Sequence, residues 1–328
     1  MSSGSGSHRR RGSGEKQVVP EAEFSSYYGR PIVKPTVWAL DIPCYLFLGG
    51  LAGASSALAA GAHLTGNREL ASAAKAGAAG AISLSMAALI HDLGRPARFI
   101  NMLRVIKVTS PMSIGTWVVS AYLPMALTAA ACALTRRLPA IGTAATIGAA
   151  WSGLAVATYT GVLLADTAAP AWHGAYRELP YLFAGSAASA AGGFGMATVA
   201  PGGARQAVRL AVAGATAELA AKHLMEHRLG PAAEPYQAGR PGILMKAAEM
   251  LAVAGVAGAV LSGRRRTVAV ASGIALMAAS ALTRFGVFEA GRASAQDPKY
   301  TVGPQRQRLS AAHEPASRSS GSIDSGTS

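Results

Sequence analysis

The sequence predicts an all-α integral membrane protein built from eight transmembrane helices. Hydrophobic residues make up 51% of the chain and charged residues only 14%. Soluble domains carry about 25% charged residues, so this chain has too few charges to cover a surface of its size in water. The apolar residues also come in blocks that reach the roughly 20 residues a helix needs to cross a bilayer. A multi-pass protein of the cell (plasma) membrane is therefore expected.

The positive charge of the chain fits the same class. The formal net charge is +14, and the basic residues fall between the apolar blocks and in the two tails. Charges in these places set membrane topology and meet anionic lipid, which explains them without a nucleic-acid partner. Only Cys44 and Cys132 are present. With no multi-cysteine cluster, the chain is expected to bind no iron–sulfur cluster and no other metal.

The order of elements follows from the apolar blocks. Residues 1–36 are predicted to form a flexible basic tail, residues 37–290 the transmembrane domain, and residues 291–328 a polar, largely disordered tail. The first stretch, MSSGSGSHRRRGSG, has no apolar core and is not expected to be a cleavable signal peptide. The eight predicted helices cover residues 37–63, 71–92, 113–135, 140–164, 180–200, 205–227, 242–261 and 267–288.

Small residues form smooth faces on two of these helices. The first has Gly49, Gly53, Ala57 and Gly61 at every fourth position. The fifth repeats the spacing with glycine and serine between 185 and 193. In lipid, such faces let helix backbones approach closely, so they predict a tightly packed bundle rather than chemistry.

Ionisable residues gather at one end of the predicted bundle. Eight crossings place both tails on one side, called side A here. Asp41 is expected about one turn inside the first helix, His91 and Asp92 close the second, and Tyr159 lies about two turns inside the fourth. The connectors at the opposite end, side B, are short and basic. Because ionisable groups within spanning helices are costly and usually functional, side A is the predicted functional end.

Each of these residues also has a structural explanation. Asp41 could only accept hydrogen bonds at a helix start, and Asp92 could pair with Arg95 or Arg98. Glu218 and Lys222 have the i,i+4 spacing of an ion pair, although a buried glutamate is also a natural proton carrier. The remaining aromatic residues of note, Trp117, Trp151 and Trp172, are expected in the membrane-interface belt.

Several motifs, in the same order, resemble those of the NrfD/PsrC family of polysulfide-reductase-type membrane subunits. They are IPCYLFLGGLAGASS, HDLGRPARFINML, SPMSIGTW, YTGVLLADTAAPAW and LPYLFAGSAASAAGG. The resemblance covers roughly residues 37–290. Some relatives carry Asn and His in the first-helix segment, where this chain has Asp41, Ile42 and Tyr45. In those relatives this segment would supply a hydrogen-bonding partner for quinone, and Asp41 is the candidate for that role in this chain.

The resemblance implies two four-helix bundles and a role in anaerobic respiration. Such a subunit exchanges electrons and protons with menaquinone or ubiquinone and binds no haem. It lies beneath a four-cluster ferredoxin-like iron–sulfur subunit, often with a molybdopterin catalytic subunit beyond, and it is not catalytic alone. The implied quinone-binding residues, carried over by motif, are Asp41, Tyr45, His91, Asp92 and Tyr159.

The residues independently suit that chemistry. An apolar bundle admits an isoprenoid tail, while a few acids or histidines at one end bind the head group and move protons. The connector over residues 93–112 carries four basic residues, which offer an acidic partner a docking surface: Arg95, Arg98, Arg104 and Lys107.

Other functions remain open at this point. A cytochrome b-type anchor needs histidines on facing helices, and His91 and His223 end on the same side while His63 lies opposite. A proton or ion transporter is the second alternative, although its polar groups are expected near the midplane. Proton movement coupled to quinone chemistry is a third possibility, with Glu218, Lys222 and Glu249 as its candidate path.

Overall fold

The computed structural model describes residues 33–34, 38–95, 97–263 and 265–302, and every regular element in this part of the chain is helical. The predicted tails fall mostly outside these residues. The long helices are α1 (Asp41–Leu64), α2 (Arg68–Asp92), α4 (Pro111–Thr135), α5 (Pro139–Ala165), α7 (Leu179–Thr198), α8 (Arg205–Leu229), α10 (Gly239–Leu261) and α11 (Arg266–Gln296). The short helices are α3 (Ala97–Leu103), α6 (Pro170–Gly174), the 3-10 turn Gly230–Ala233 and α9 (Glu234–Gln237).

Six of the long helices are long and apolar enough to cross a membrane: α1, α2, α4, α5, α10 and α11. The other two differ for separate reasons. Helix α7 is made largely of small residues and is buried along most of its length, so it has little need of large apolar side chains. Helix α8 carries charged residues at both ends and a buried Glu218 and Lys222.

The bounds of the predicted helices lie within three residues of the observed ones except at the two ends of the domain. Helix α1 begins at Asp41 rather than at residue 37. Asp41 is thus in the first turn and not one turn inside, which corrects its predicted depth. Helix α11 continues to Gln296, beyond the predicted end at 288, so the predicted tail from 291 starts within this helix. The extension is stabilised by packing, because the Ser294 hydroxyl accepts a hydrogen bond from the backbone N–H of Ala171 at 3.1 Å.

The long helices pack as two groups of four. In the first group α1 packs against α2 and α5, α4 against α5, and α2 against α4. In the second group α7 packs against α8 and α11, and α10 against α11 and α8. Helix α7 also contacts α1 and α5, and α11 contacts α1, so the two groups share a continuous interior.

The small-residue face of α1 brings two backbones together. A Cβ atom added to Gly53 would lie only 2.2 Å from the carbonyl oxygen of Gly153 in α5. A Cβ atom added to Gly153 would also clash with the Gly53 backbone, at 2.7 Å from its oxygen. Only glycine fits on both sides of this crossing, as the four-residue spacing of small residues predicts.

The short helices were not predicted, and one of them changes the interpretation of Trp172. Its side chain in α6 is fully buried, and its indole N–H donates to the carbonyl of Val287 at 2.7 Å. Its ring stacks on Trp38 with the centroids 5.9 Å apart. The predicted place in the interface belt is therefore wrong for Trp172, whereas Trp117 and Trp151 are exposed.

Candidate functional site

A cavity of about 170 Å³ opens at the side A end of the first helix group. It lies where α1 and α4 begin and α2 and α5 end, with α3 beside it. Its polar lining residues are Tyr45, Asp92, Thr116 and Tyr159. Gly115 also lines the cavity, and the remaining lining residues are apolar: Trp38, Ile42, Leu46, Leu89, Leu93, Phe99, Met102, Met112, Val119, Leu163 and Leu164.

Two tyrosines meet across the cavity wall. The hydroxyl groups of Tyr45 in α1 and Tyr159 in α5 are hydrogen-bonded to each other. The backbone of Tyr45 is fixed as well, because its carbonyl accepts a hydrogen bond from the buried Ser85 hydroxyl at 3.0 Å. The Tyr159 ring packs against Gly115, where an added Cβ would lie 2.3 Å from a ring carbon. The glycine of the SPMSIGTW motif thus leaves room for this tyrosine.

Asp92 lies at the end of α2 and lines the same cavity. Its carboxylate accepts a hydrogen bond from the backbone N–H of Ala39, at 3.1 Å. The alternative of an Asp92 ion pair with Arg95 or Arg98 is wrong within the described residues. Arg98 instead donates to the carbonyl of Leu93 at 2.9 Å. Among the described residues, no basic side chain pairs with the Asp92 carboxylate.

Asp41 and His91 form a pair outside the cavity. The His91 Nδ1 atom and an Asp41 carboxylate oxygen are 3.0 Å apart, and the His91 side chain is 80% exposed. Neither residue is among the described residues that line the cavity. Of the five predicted quinone-binding residues, the structure thus brings Tyr45, Asp92 and Tyr159 together and places the other two at the adjoining surface.

The connector between α2 and α4 is tied to the first turns of α4. The carbonyl of Val105 accepts hydrogen bonds from the Ser113 hydroxyl at 2.9 Å and from the Trp117 indole at 3.3 Å. The i,i+4 spacing of these two residues puts both on one helix face. The connector's four basic residues are all exposed: Arg95, Arg98, Arg104 and Lys107.

A second polar cluster lies within the other helix group. Glu218 is 4% exposed, and one of its oxygens accepts a hydrogen bond from the Thr283 hydroxyl at 2.6 Å. Lys222 is 7% exposed and pairs with Glu249 of α10 at 2.5 Å. The predicted Glu218–Lys222 ion pair is therefore wrong. Glu218, Lys222 and Glu249 nevertheless line the same small cavity.

Arg284 is a buried ionisable residue that the sequence patterns did not single out. Its guanidinium is fully buried, donates to the carbonyl of Phe183 at 2.7 Å and lies 3.7 Å from the centre of the Phe183 ring. Two of its nitrogens and one oxygen of Glu218 have no partner among the described residues. A lone arginine within the apolar run of α11 was the available signal.

Outside the apolar helices, the chain closes the side A surface with short elements. The hydroxyl of Tyr236 in α9 donates to the carbonyl of Ala171 at 2.9 Å. Burial raises the pKa of this hydroxyl well above its ordinary value, so it keeps its proton and remains a donor.

Among the described residues, no group of three or more His, Cys, Asp and Glu side chains is placed to hold a metal ion.

Six apolar helices and a cavity among them define a multi-pass membrane protein with a candidate site at one end of its first helix group. The sequence profile of the family described as polysulphide reductase, NrfD, matches residues 32–212. That is more than half of the chain, and the chain belongs to this family. It is thus a membrane subunit of the polysulphide-reductase type, associated with other subunits of an oxidoreductase complex. A comparison with curated proteins finds no match.

The family match also indicates which half of the molecule carries the shared features. It covers α1 to α7 and the start of α8, and therefore the whole lining of the cavity. All five predicted quinone-binding residues and the basic connector lie within it. Glu218, Lys222 and Glu249 lie beyond its end.

Proposed function

We propose that this protein exchanges electrons and protons between the membrane quinone pool, menaquinone above all, and an iron–sulfur partner subunit. The observation that carries the proposal is the cavity between α1, α2, α4 and α5. Its walls are apolar except for two hydrogen-bonded tyrosines, a threonine and one aspartate. A quinone ring needs this combination, because its faces are apolar and its two oxygens require hydrogen-bond and proton partners.

The size of the cavity favours the head group over the whole lipid. A protein cavity of about 150 Å³ accommodates a benzene ring, and the cavity here measures about 170 Å³. The isoprenoid tail would then extend between helices into the bilayer. In this arrangement Tyr45 and Tyr159 orient the ring oxygens, and Asp92 at the mouth exchanges protons with water. Asp41 and His91, paired at the adjoining surface, are the next groups along a route for protons to solvent.

Electrons must come from a partner. The connector that carries Arg95, Arg98, Arg104 and Lys107 also supplies Phe99 and Met102 to the cavity lining. An acidic four-cluster ferredoxin-like subunit docked on these cations would lie directly over the quinone ring. A molybdopterin catalytic subunit beyond it would complete the complex. The chain is thus quinone-reactive without being an enzyme alone.

We extend the proposal to the second helix group. In this proposal all eight long helices cross the bilayer. Helix α7 is shielded from lipid by neighbouring helices, and the charged residues Glu218 and Lys222 of α8 face the protein interior. Glu249 is partly exposed, Lys222 is paired with it, and Glu218 lies deeper, with an oxygen that has no described partner. This order from surface to interior suits a proton path, and Thr283 extends it to the neighbouring helix.

The alternatives have less support. A haem would need buried histidines on facing helices, whereas His63, His91 and His223 are all exposed. A transporter would need its polar groups around a site near the midplane. In the first helix group the charged residues Asp41, His91 and Asp92 lie at helix ends, which favours quinone chemistry at the membrane surface.

The test uses the complex purified through this chain and a soluble menaquinol analogue. In Asp92→Asn the carboxylate is lost and the side chain keeps its size, so quinol oxidation should fall about 100-fold or more, as expected for a lost proton acceptor. Asp166→Asn is the matched control, because Asp166 is an exposed aspartate at the end of α5 outside the cavity. Full activity in Asp92→Asn would remove Asp92 from the reaction.

A further inference from the structure

A second, larger cavity lies at the opposite end of the first helix group. It measures about 830 Å³ and opens where α1 ends and α2 begins, beside the turn from α4 to α5. Its charged lining residues are Arg68, Lys75, Arg136 and Arg137, with His63 beside them. None of the described lining residues is acidic. Four cations with no carboxylate among them make this cavity suited to an anion.

Lys75 is the deepest of these cations. It is 7% exposed, and it makes no hydrogen bond or ion pair with any residue that the structure describes. Its ammonium nitrogen is not among the fully buried polar atoms and faces the cavity, where a bound anion could pair with it. The nearest acid in sequence, Glu69, faces elsewhere, since its carboxylate accepts a hydrogen bond from the Ala200 N–H at 3.3 Å.

The turn between α4 and α5 presents two of the arginines and the start of a helix. Arg136 and Leu138 both adopt left-handed backbone conformations, with φ of 56° and 55°. No side chain caps the first turn of α5. Pro139 and Gly142 of that turn line the same cavity as Arg136 and Arg137, so the positive end of the α5 dipole lies beside these two charges.

Three exposed leucines, called the rim here, adjoin lining residues of the cavity in the sequence. Leu64 is 73% exposed beside His63, Leu134 is 73% exposed near Arg136, and Leu138 is 61% exposed next to Arg137. Such residues would be costly beside a water-filled anion site and favourable beside acyl chains. A phosphate group with attached chains fits the rim and the interior together, whereas free phosphate fits only the interior.

We propose that this basic cavity binds the phosphate of an anionic membrane phospholipid, with the acyl chains lying over the leucines at its rim. The lipid would join the α1–α2 turn to the α4–α5 turn, at the end of the group where the described part of the chain forms no short helix. The inference is independent of quinone chemistry, since the two cavities lie at opposite ends of the same four helices.

The experiment measures lipid binding to the full chain, purified in a maltoside detergent and stripped of lipid. Dioctanoyl phosphatidylglycerol is titrated in, and bound copies are counted by native mass spectrometry. The double variant Arg136→Asn/Arg137→Gln removes two exposed charges, and asparagine tolerates the left-handed conformation at 136. At about 1 kcal/mol for each basic residue, its affinity should fall about thirtyfold. Lys75→Gln should also weaken binding.

The control is Arg205→Gln/Arg209→Gln, which removes two exposed arginines from α8 at the same end of the molecule but outside the cavity. It should bind phosphatidylglycerol as the unaltered chain does. Equal losses in the two double variants, or equal binding of dioctanoyl phosphatidylcholine, would overturn the site. Inorganic phosphate that bound as tightly as the lipid would overturn the lipid assignment in favour of a free anion.

Discussion

At the scale of single residues, the most unusual feature is the pair of buried ionisable groups Glu218 and Arg284. Glu218 has one oxygen bonded to Thr283 and one without a described partner, and Arg284 has two nitrogens in the same condition. Buried polar groups are nearly always satisfied, so exceptions indicate either bound water or function. These unpartnered atoms are the observation on which the proposed proton path through Glu218 rests.

Replacing Glu218 by glutamine should separate proton movement from quinone turnover. Glutamine keeps an acceptor for the Thr283 hydroxyl but carries no exchangeable acidic proton. In liposomes that contain the complex, we expect proton movement to fall at least about tenfold, while quinol oxidation stays within about twofold. A pH-sensitive dye and the oxidation rate measure the two quantities together.

The matched variant for that experiment is Glu289→Gln, a partly exposed glutamate of α11 that does not line the Glu218 cavity. It should leave both quantities unchanged. Unaltered proton movement in Glu218→Gln would exclude Glu218 from the path, whatever happens to Lys222 and Glu249.

Side-chain partners were the part of the site least predictable from sequence. The i,i+4 rule paired Lys222 with Glu218, yet Lys222 lies nearest to Glu249, 27 positions away on another helix, and its i,i+4 partner is Glu226 at 3.8 Å. In the same way, Asp92 bonds to the backbone of Ala39 rather than to the nearby arginines. Local spacing reports which residues share a helix face, but the tertiary arrangement decides which partner on another helix comes closer.

At the scale of elements, the crossing of α1 and α5 holds the first helix group together. Its glycines, Gly53 and Gly153, leave no space for a side chain. The cavity lies farther along the same two helices, with Tyr45 on α1 and Tyr159 on α5. A change in this crossing would therefore displace the two tyrosines as well as weaken the fold.

Adding one methyl group at this crossing should destabilise the protein. The Gly53→Ala variant places a carbon 2.2 Å from the Gly153 oxygen, so α1 and α5 must separate. Overpacking of this kind costs about 1–3 kcal/mol. We expect a lower midpoint of thermal unfolding in detergent, monitored by circular dichroism.

The same substitution at Gly61 is the control, because a Cβ added there meets no described atom within 4 Å apart from its own helix backbone and chain neighbours. Gly61→Ala should unfold at the original temperature or slightly above it, since alanine favours a helix by up to about 1 kcal/mol. Equal midpoints for the Gly53 and Gly61 variants would contradict a backbone-to-backbone crossing.

The long helices were predictable because lipid-facing and core-facing residues are both apolar, so each helix forms one continuous block. The short helices were not. Gly94 and Pro96 indicate the end of α2, and they do so correctly, but the chain forms α3 directly afterwards. Helix α6 depends on contacts with distant residues, such as the Trp172 bond to Val287. Packing of this kind leaves no local periodic signal in the sequence.

At the scale of the whole molecule, the two ends of the first helix group differ in chemistry. One end has an apolar cavity with an aspartate, two tyrosines and a basic connector. The other has a larger cavity lined by four cations. The second group adds a buried acid along the proposed proton path. Quinone chemistry, lipid binding and proton movement are thus proposed for three separate places in one bundle.

The position of the quinone ring is the central claim, and photo-labelling tests it most directly. The purified complex is irradiated with an azido-substituted menaquinone analogue, and the labelled peptides are identified by mass spectrometry. We expect label on the cavity residues of α2, α3 and α4, within 89–102 and 112–119, and its loss when excess menaquinone is present. Label confined to α8 and α10, or to the helix ends around Lys75, would contradict a quinone site in this cavity.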